Sequence, residues 1–213
     1  MYKTLLFDLD GTITDSAPGI TNSVSYALSK VGIQVSDKNE LRHFVGPPLI
    51  DEFRKSYGFS EDEARQLVAF YREYYTVKGI FENNVYRGIP ELLGTLQESG
   101  RKIILATSKP EVYAKKILEH FGLAKYFDFI AGASLDETRT KKDEVISYAL
   151  DKTGTEDIKT TVMIGDREHD VLGAGKFGMD SIGVLYGYGD LAELSAAGAT
   201  HIAETAEDIL RFI

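Results

Sequence analysis

Residues 4–15 read TLLFDLDGTITD, and the order of apolar and acidic residues in this stretch decides the fold. The apolar run at residues 4–7 fits a buried parallel strand, and it stops at the carboxylates of Asp8 and Asp10. Gly11 and the hydroxyl of Thr12 follow at once. Asp-Gly is also an ordinary turn pair. Its position behind a first strand favours a ligand site, since open α/β sheets bind ligands at the carboxyl ends of their strands.

Composition narrows the class of protein. The chain has 213 residues, of which 43% are hydrophobic and 27% charged, as in an ordinary globular domain with or without a smaller inserted one. Cysteine is absent, which excludes disulfides, thiolate catalysis and cysteine-rich zinc sites. The net charge of −9 argues against nucleic acid as a partner. Without a targeting signal or a long apolar run, the sequence predicts a cytoplasmic protein with no membrane partner.

Between residues 16 and 80 the pattern is purely helical. Asp15 or Ser16 is placed to cap a first helix, and Ser60 with Glu63 forms a capping box before a long one. Shorter helices are predicted at 37–44 and 48–57, with a turn at 43–48, HFVGPP, between them. We therefore predict a core domain of residues 1–15 plus 86–213 and an inserted helical domain of residues 16–85.

From residue 88 onward, strands and helices alternate, which predicts an α/β fold: a Rossmann-like parallel sheet core with helices on both faces. Helices are expected at residues 89–99, 110–121, 141–150 and 168–176. Strands are expected, after the first one, at residues 102–106, 127–131, 161–164 and 181–185. The tail is expected to form two short helical segments around residues 200–203.

Two later strands also end in polar residues. Residues 102–106 are followed by Thr107, Ser108 and Lys109, which would equally serve to cap the next helix. Residues 161–164 are followed by Gly165 and Asp166, and Asp170 lies four residues on. A helix starting at residue 166 would place both acids on one side.

Four motifs together resemble those of the haloacid dehalogenase superfamily, whose members mostly hydrolyse phosphate monoesters. FDLDGT resembles the first motif, and the strand ending at Thr107 resembles the second. The third is a lysine at a helix start, for which the spacing favours Lys142 and leaves Lys141 as the alternative. TVMIGDREHD, residues 161–170, resembles the fourth. The motifs occur in the family's order, and the inserted helical region lies where many members carry a cap.

The resemblance implies a magnesium-dependent phosphatase that works through a phospho-aspartate. Asp8 is implied as the nucleophile, Asp10 as the acid and then the base, and Lys142 as the neutralising cation. Mg²⁺ is implied to bind Asp8, the backbone carbonyl of Asp10 and Asp166, with Asp170 behind them. Phosphate is implied to contact Gly11, Thr107, Ser108 and Lys109.

Further similarity narrows the branch. HFVGPPL at residues 43–49, YREYY at 71–75 and VLYGYGD at 184–190 look most like phosphoglycolate phosphatases and 5′-nucleotidase-like proteins. This implies a small phosphorylated metabolite as substrate, contacts from His43 and Gly46 to it, and a monomer or weak homodimer.

Other activities of the same fold stay open, namely a pyrophosphatase, a sugar phosphomutase and, last, a non-catalytic phosphometabolite-binding protein. Dehalogenases lack the second acid at Asp10. Phosphomutases carry a histidine in the first cap helix, and residues 16–31 contain none.

Overall fold

The computed structural model describes residues 1–136 and 138–213, which pack as compact units. The core unit comprises Met1–Thr14 and Val85–Ile213, and the inserted unit comprises Asp15–Asn84. In the described residues, no helix combines the length and the apolar composition needed to cross a membrane.

The strands are β1 (Thr4–Phe7), β2 (Thr14–Asp15), β3 (Asn84–Val85), β4 (Lys102–Pro110), β5 (Phe129–Ala133), β6 (Thr161–Gly165), β7 (Asp180–Val184) and β8 (His201–Ala203). The helices are α1 (Ala17–Lys30), α2 (Leu49–Tyr57), α3 (Glu61–Tyr75), α4 (Ile89–Glu98), α5 (Glu111–His120), α6 (Lys142–Thr153), α7 (Glu168–Gly175) and α8 (Leu191–Ala196). Short 3₁₀ helices occupy Lys38–Phe44, Gly79–Phe81, Ala124–Tyr126, Ile158–Thr160 and Glu207–Arg211.

A parallel sheet organises the core unit. Over the described residues it has six strands in the order β5-β4-β1-β6-β7-β8, while β2 and β3 pair with each other where the chain passes between the units. The first strand lies inside the sheet, with Leu5 opposite Ile103 on one side and Val162 on the other. The α/β fold predicted from the alternating pattern is therefore confirmed.

Helices cover the sheet because its strands are apolar on both faces. Leu6, Ile104 and Met163, which are fully buried, pack with apolar residues of α6 and α7 in one cluster. Successive residues of a strand point to opposite faces. Leu5 and Phe7 therefore point to the other face, where they are also fully buried. Burial on both faces explains why these strands read as continuous apolar runs.

Some element boundaries differ from the sequence prediction. The strand expected at 127–131 begins at Phe129, and the strand expected to end at residue 106 continues to Pro110 with a shift of register after Thr107. No strand is expected between the two tail helices, yet His201–Ala203 pairs with β7. This strand has only three residues and is stabilised by its neighbour, which a local pattern does not record.

The inserted unit is helical, as its pattern predicts. Ser60 and Glu63 form the expected capping box, in which the Ser60 N–H donates to the Glu63 carboxylate at 2.8 Å. At the first helix the side chain of Asp15, and not that of Ser16, accepts a bond from Ala17 N at 3.2 Å. The expected turn at 43–48 begins later than predicted, because the preceding 3₁₀ helix runs to Phe44.

Candidate active site

Two neighbouring strands bring Asp8 and Asp166 together. Asp8 follows β1 and Asp166 follows β6, and these strands pair in parallel with Phe7 opposite Ile164. The Asp8 N–H also donates to the Ile164 carbonyl at 2.9 Å. Because the carboxyl ends of parallel strands meet at one edge, both side chains lie at the edge where such sheets bind ligands.

Carboxylate oxygens of Asp8, Asp166 and Asp170 all lie within 4.8 Å of one another. We call these residues, with Lys142, the carboxylate cluster. The Lys142 ammonium lies 2.8 Å from Asp8 Oδ1 and 2.8 Å from Asp170 Oδ1, and it donates to the Ala106 carbonyl at 2.9 Å. Its side chain is only 5% exposed, whereas Lys141 faces solvent. Of the two lysines that the sequence left open, the structure brings Lys142 to the acids.

Asp166 and Asp170 meet by a different route from the predicted one. The helix α7 begins at Glu168, so Asp166 lies in the loop before it and the two acids do not share a helix face. Asp170 lies in the first turn, and its carboxylate accepts a bond from Arg167 N at 3.2 Å. A side chain at Gly165 would collide with Asp170. The helix begins at Glu168, as expected for a helix of residues 168–176, and Asp166 reaches Asp8 from the loop before it.

Burial and charge act against each other in the carboxylate cluster. Burial raises the pKa of Asp166 well above its ordinary value, and the carboxylates of Asp170 and Asp8 raise it further. Burial also raises the pKa of Asp170, to about 6, although the Lys142 ammonium opposes this. Burial disfavours the charge on Lys142, but the Asp170 and Asp8 carboxylates together raise its pKa above the usual value.

The donor set fits a hard divalent cation. With all three carboxyl groups ionised, the cluster would carry three negative charges against the one positive charge of the Lys142 ammonium, which would leave two negative charges in a buried space. Buried like charges are stable only when they are compensated. Oxygen ligands from a few carboxylates are what Mg²⁺ prefers in proteins. The residues present therefore suit the metal that the family resemblance implies.

Asp10 has a partner of its own. Lys109 Nζ donates to Asp10 Oδ2 at 2.7 Å and to Asp10 Oδ1 at 3.0 Å, and the two side chains are 6% and 17% exposed. The Lys109 N–H in turn donates to Thr107 Oγ1 at 3.2 Å. Lys109 lies where the register of β4 shifts, between Thr107 and Pro110. The sequence named Lys109 as a phosphate contact but did not foresee this pair.

The remaining residues predicted for the site in the core unit lie directly after β1 or in the last part of β4. Gly11 has φ of +85°, a conformation that favours glycine, and any side chain there would collide with the Asp166 carboxylate. The neighbouring Thr12 hydroxyl donates to Asp166 Oδ1 at 3.3 Å. Thr107 is buried, and Ser108 is exposed.

His43 and Gly46 belong to the inserted unit. His43 Nε2 lies 3.1 Å from Ser56 Oγ and 3.6 Å from Glu52 Oε1, so its imidazole interacts with side chains of its own unit. Gly46 has φ of +106°, as a tight turn requires.

Sequence reasoning missed the loop of residues 186–190, YGYGD. The Tyr188 N–H donates to Asp166 Oδ2 at 2.8 Å, and the Tyr186 hydroxyl donates to the Thr12 carbonyl at 3.0 Å. In the sequence, this stretch indicates only a similarity to phosphoglycolate phosphatases and 5′-nucleotidase-like proteins. Alternating glycines directly behind a strand were the available signal, since they mark a close approach of backbone to another group.

Known proteins resemble this chain over nearly its whole length. A 5′-nucleotidase from Pseudomonas aeruginosa is 48% identical over 200 residues, which cover 94% of this chain and 90% of that protein. The tyrosine-protein kinase PtkA from Mycobacterium tuberculosis is 39% identical, over 96% of this chain and 69% of that protein. A phosphoglycolate phosphatase from Vibrio parahaemolyticus is 26% identical, over 99% of this chain and 96% of that protein.

Solved structures agree with the sequence relatives. The crystal structure of a predicted phosphatase from Clostridium acetobutylicum has a TM-score of 0.93 and 48% identity, and the match covers 100% of this chain and 98% of that one. Residues 5–184 match the family described as haloacid dehalogenase-like hydrolase, a span that includes the whole carboxylate cluster. The chain belongs to the haloacid dehalogenase-like hydrolase family.

Proposed function

We propose that this protein hydrolyses small phosphate monoesters in a magnesium-dependent reaction, through a phosphoryl group carried on Asp8. The observation that carries the proposal is the position of Lys142, whose ammonium lies 2.8 Å from both Asp8 and Asp170 beside Asp166. A carboxylate attacks an anionic phosphate only where cations offset their repulsion. The carboxylate cluster supplies one cation and suits a second.

The general activity follows from the family and its members. This chain is an enzyme of the family. Because its relatives are named 5′-nucleotidase and phosphoglycolate phosphatase, its general activity is that of a phosphatase. The finer assignment, to phosphoglycolate or a nucleoside monophosphate, belongs to the proposal. Both are small organic phosphates, and the core unit contacts proposed here involve only the phosphate that they share.

The first chemical step is proposed to form the bond between an Asp8 oxygen and phosphorus while the ester oxygen leaves. Asp10 gives that oxygen its proton. In the second step a water oxygen attacks phosphorus, Asp10 takes the proton from the water, and the bond to Asp8 breaks. Inorganic phosphate leaves and both carboxyl groups return to their starting states.

Lys109 has to change partners during this cycle. It binds both oxygens of Asp10, so at least one of them must be released before Asp10 can carry a proton. A substrate phosphate is a stronger attraction for an ammonium than a single carboxylate because it carries more negative charge. We propose that Lys109 transfers to a phosphate oxygen, beside Thr107 and the Ser108 N–H, when substrate binds.

Mg²⁺ would be held by Asp8 and Asp166, with the Asp10 carbonyl as a further ligand and Asp170 behind, and when bound it would neutralise charge on the transferring phosphate. Lys142 contacts both Asp8 and Asp170, so it fixes the side chains around that position.

A hydrolysis assay tests the proposal. With p-nitrophenyl phosphate and Mg²⁺ we expect release of p-nitrophenol that stops when EDTA is added. A panel of phosphoglycolate, nucleoside monophosphates, pyrophosphate and hexose phosphates then ranks the substrates. It also separates hydrolysis of phosphate monoesters from the pyrophosphatase and mutase alternatives. Full activity in EDTA, or none on any phosphate ester, would refute the proposal.

The kinase name of one relative defines a further control. Hydrolysis and tyrosine phosphorylation differ in what accepts the phosphoryl group, which is water in one case and a tyrosine hydroxyl in the other. Incubation with radiolabelled ATP and a tyrosine-containing peptide is expected to yield no phosphotyrosine.

A further inference from the structure

The loop of residues 186–190 contacts Asp166, although it lies outside the sequence motif that contains Asp166. The Tyr188 N–H donates to Asp166 Oδ2 at 2.8 Å, opposite the Thr12 hydroxyl, which donates to Oδ1 at 3.3 Å. The Tyr186 hydroxyl holds the Thr12 carbonyl at 3.0 Å. Both carboxylate oxygens of Asp166 thus accept a hydrogen bond. The loop donates one of these bonds through the Tyr188 N–H, and it supports the other because the Tyr186 hydroxyl binds the Thr12 carbonyl.

The glycines of the loop are required by this close approach. A side chain at Gly187 would collide with the Gly11 carbonyl and with Asp166 Cβ, and one at Gly189 would collide with the Asp166 carbonyl. Neither glycine has a φ in the left-handed region. The need for glycine is therefore steric and comes from the distance to Asp166, and not from the turn itself.

The segment behind the loop is tied to the same motif. Asp190 caps α8 by accepting a bond from Glu193 N at 2.8 Å. Glu193 Oε1 then accepts bonds from Arg167 Nε and from Glu168 N, each at 2.8 Å. The residues immediately after Asp166 are therefore held by α8, while Asp166 itself is held by the loop.

We propose that residues 186–190 are a positioning element that sets the orientation of the Asp166 carboxylate for a hard divalent cation. The inference rests on the proposed function, because it concerns the metal that this function uses. The element acts through backbone and steric fit, and no side chain of the loop is proposed to touch the substrate.

Titration of metal-free protein with Mg²⁺ in a calorimeter tests the inference without any substrate. Gly187→Ala is expected to weaken Mg²⁺ binding about 10–100-fold, the usual cost of disturbing groups that orient a metal ligand. Gly175→Ala is the matched control, since a side chain there has no neighbour within 4 Å, and it is expected to bind as the wild type does. Near-ultraviolet circular dichroism and the thermal unfolding midpoint in EDTA report whether each variant folds.

A gentler variant covers the case in which Gly187→Ala does not fold. Tyr186→Phe removes only the hydroxyl that holds Thr12, and it is expected to fold normally and bind Mg²⁺ several-fold more weakly. A loop with a merely structural role would lower the unfolding midpoint and leave the affinity of the folded protein unchanged. Wild-type affinity in the folded variants overturns the inference, whereas a wild-type protein that binds no Mg²⁺ overturns the proposed function and this inference with it.

Discussion

The carboxylate cluster and the Asp10–Lys109 pair are ionic groups in the core unit, the first buried and the second partly buried, and their charge balance differs. In the cluster one ammonium faces three carboxylates, and in the pair one ammonium faces one carboxylate. Asp8 and Asp10 are two residues apart in sequence, yet their carboxylates differ in the charge that compensates them. The cluster gains from a further cation, while the pair is already compensated and must be opened before Asp10 can exchange a proton.

The largest effect is expected from Asp8→Asn, which removes the attacking oxygen but keeps the shape of the side chain. Turnover should fall on the order of 10⁴-fold or more, as when other enzymes lose their nucleophile. Steady-state hydrolysis of p-nitrophenyl phosphate measures it, and circular dichroism checks the fold. A variant that kept a tenth of the activity would remove Asp8 from the nucleophile's role.

Within the cluster, Asp166→Ala should cost more activity than Asp170→Ala. Asp166 is proposed to bind Mg²⁺ directly, whereas the Asp170 carboxylate is bonded to Lys142. Loss of the Asp170 carboxylate should therefore lower activity only about 10–100-fold. The Mg²⁺ concentration for half-maximal rate, measured for both variants, separates them. Equal losses would mean that both acids bind the metal in the same way.

The two lysines allow the comparison itself to be tested through stability. In EDTA, Lys142→Met should destabilise the protein by about 3–5 kcal/mol, because it leaves three buried carboxylates without a cation. Lys109→Met should cost about 1–3 kcal/mol, because it leaves a single, more exposed carboxylate. Urea unfolding measures both, and Mg²⁺ should restore more stability to Lys142→Met. If Lys109→Met were the less stable variant, the difference between the two regions would be wrong.

The smallest effects on chemistry are expected in the inserted unit. His43→Ala and Gly46→Val should change the ratio of kcat/KM between phosphoglycolate and nucleoside monophosphates. Hydrolysis of p-nitrophenyl phosphate should stay within about threefold of wild type, since the groups proposed to stabilise its transition state lie in the core unit. A common loss on every substrate would show that these residues affect the chemistry and not the choice of substrate.

The sequence predicted the parts of the fold and site that depend on local pattern. Apolar runs ending at Asp8 and Asp166 located the strands, and parallel pairing then brought their carboxyl ends together. Adjacent lysines could not be separated by spacing alone, because which of them is buried depends on where α6 begins, at Lys142. The strand at His201–Ala203 was missed because it is short and depends on β7.

Contacts between distant segments were the other source of error. The bond between Lys109 and Asp10 joins residues 99 positions apart, and the bond between Tyr188 and Asp166 joins residues 22 apart. No local pattern records either one. The hydrogen bonds that Arg167 and Glu168 donate to the Glu193 carboxylate also join distant segments, and they hold the loop after Asp166.

Chemical trapping of the phosphorylated enzyme tests the central claim most directly. The protein is mixed with substrate and Mg²⁺, quenched within milliseconds, reduced with tritiated borohydride and digested for mass spectrometry. An acyl phosphate on Asp8 would be reduced to homoserine at position 8, and the account predicts tritium at this position, with none in Asp8→Asn. Label on another residue, or rapid turnover without any label, would contradict the account.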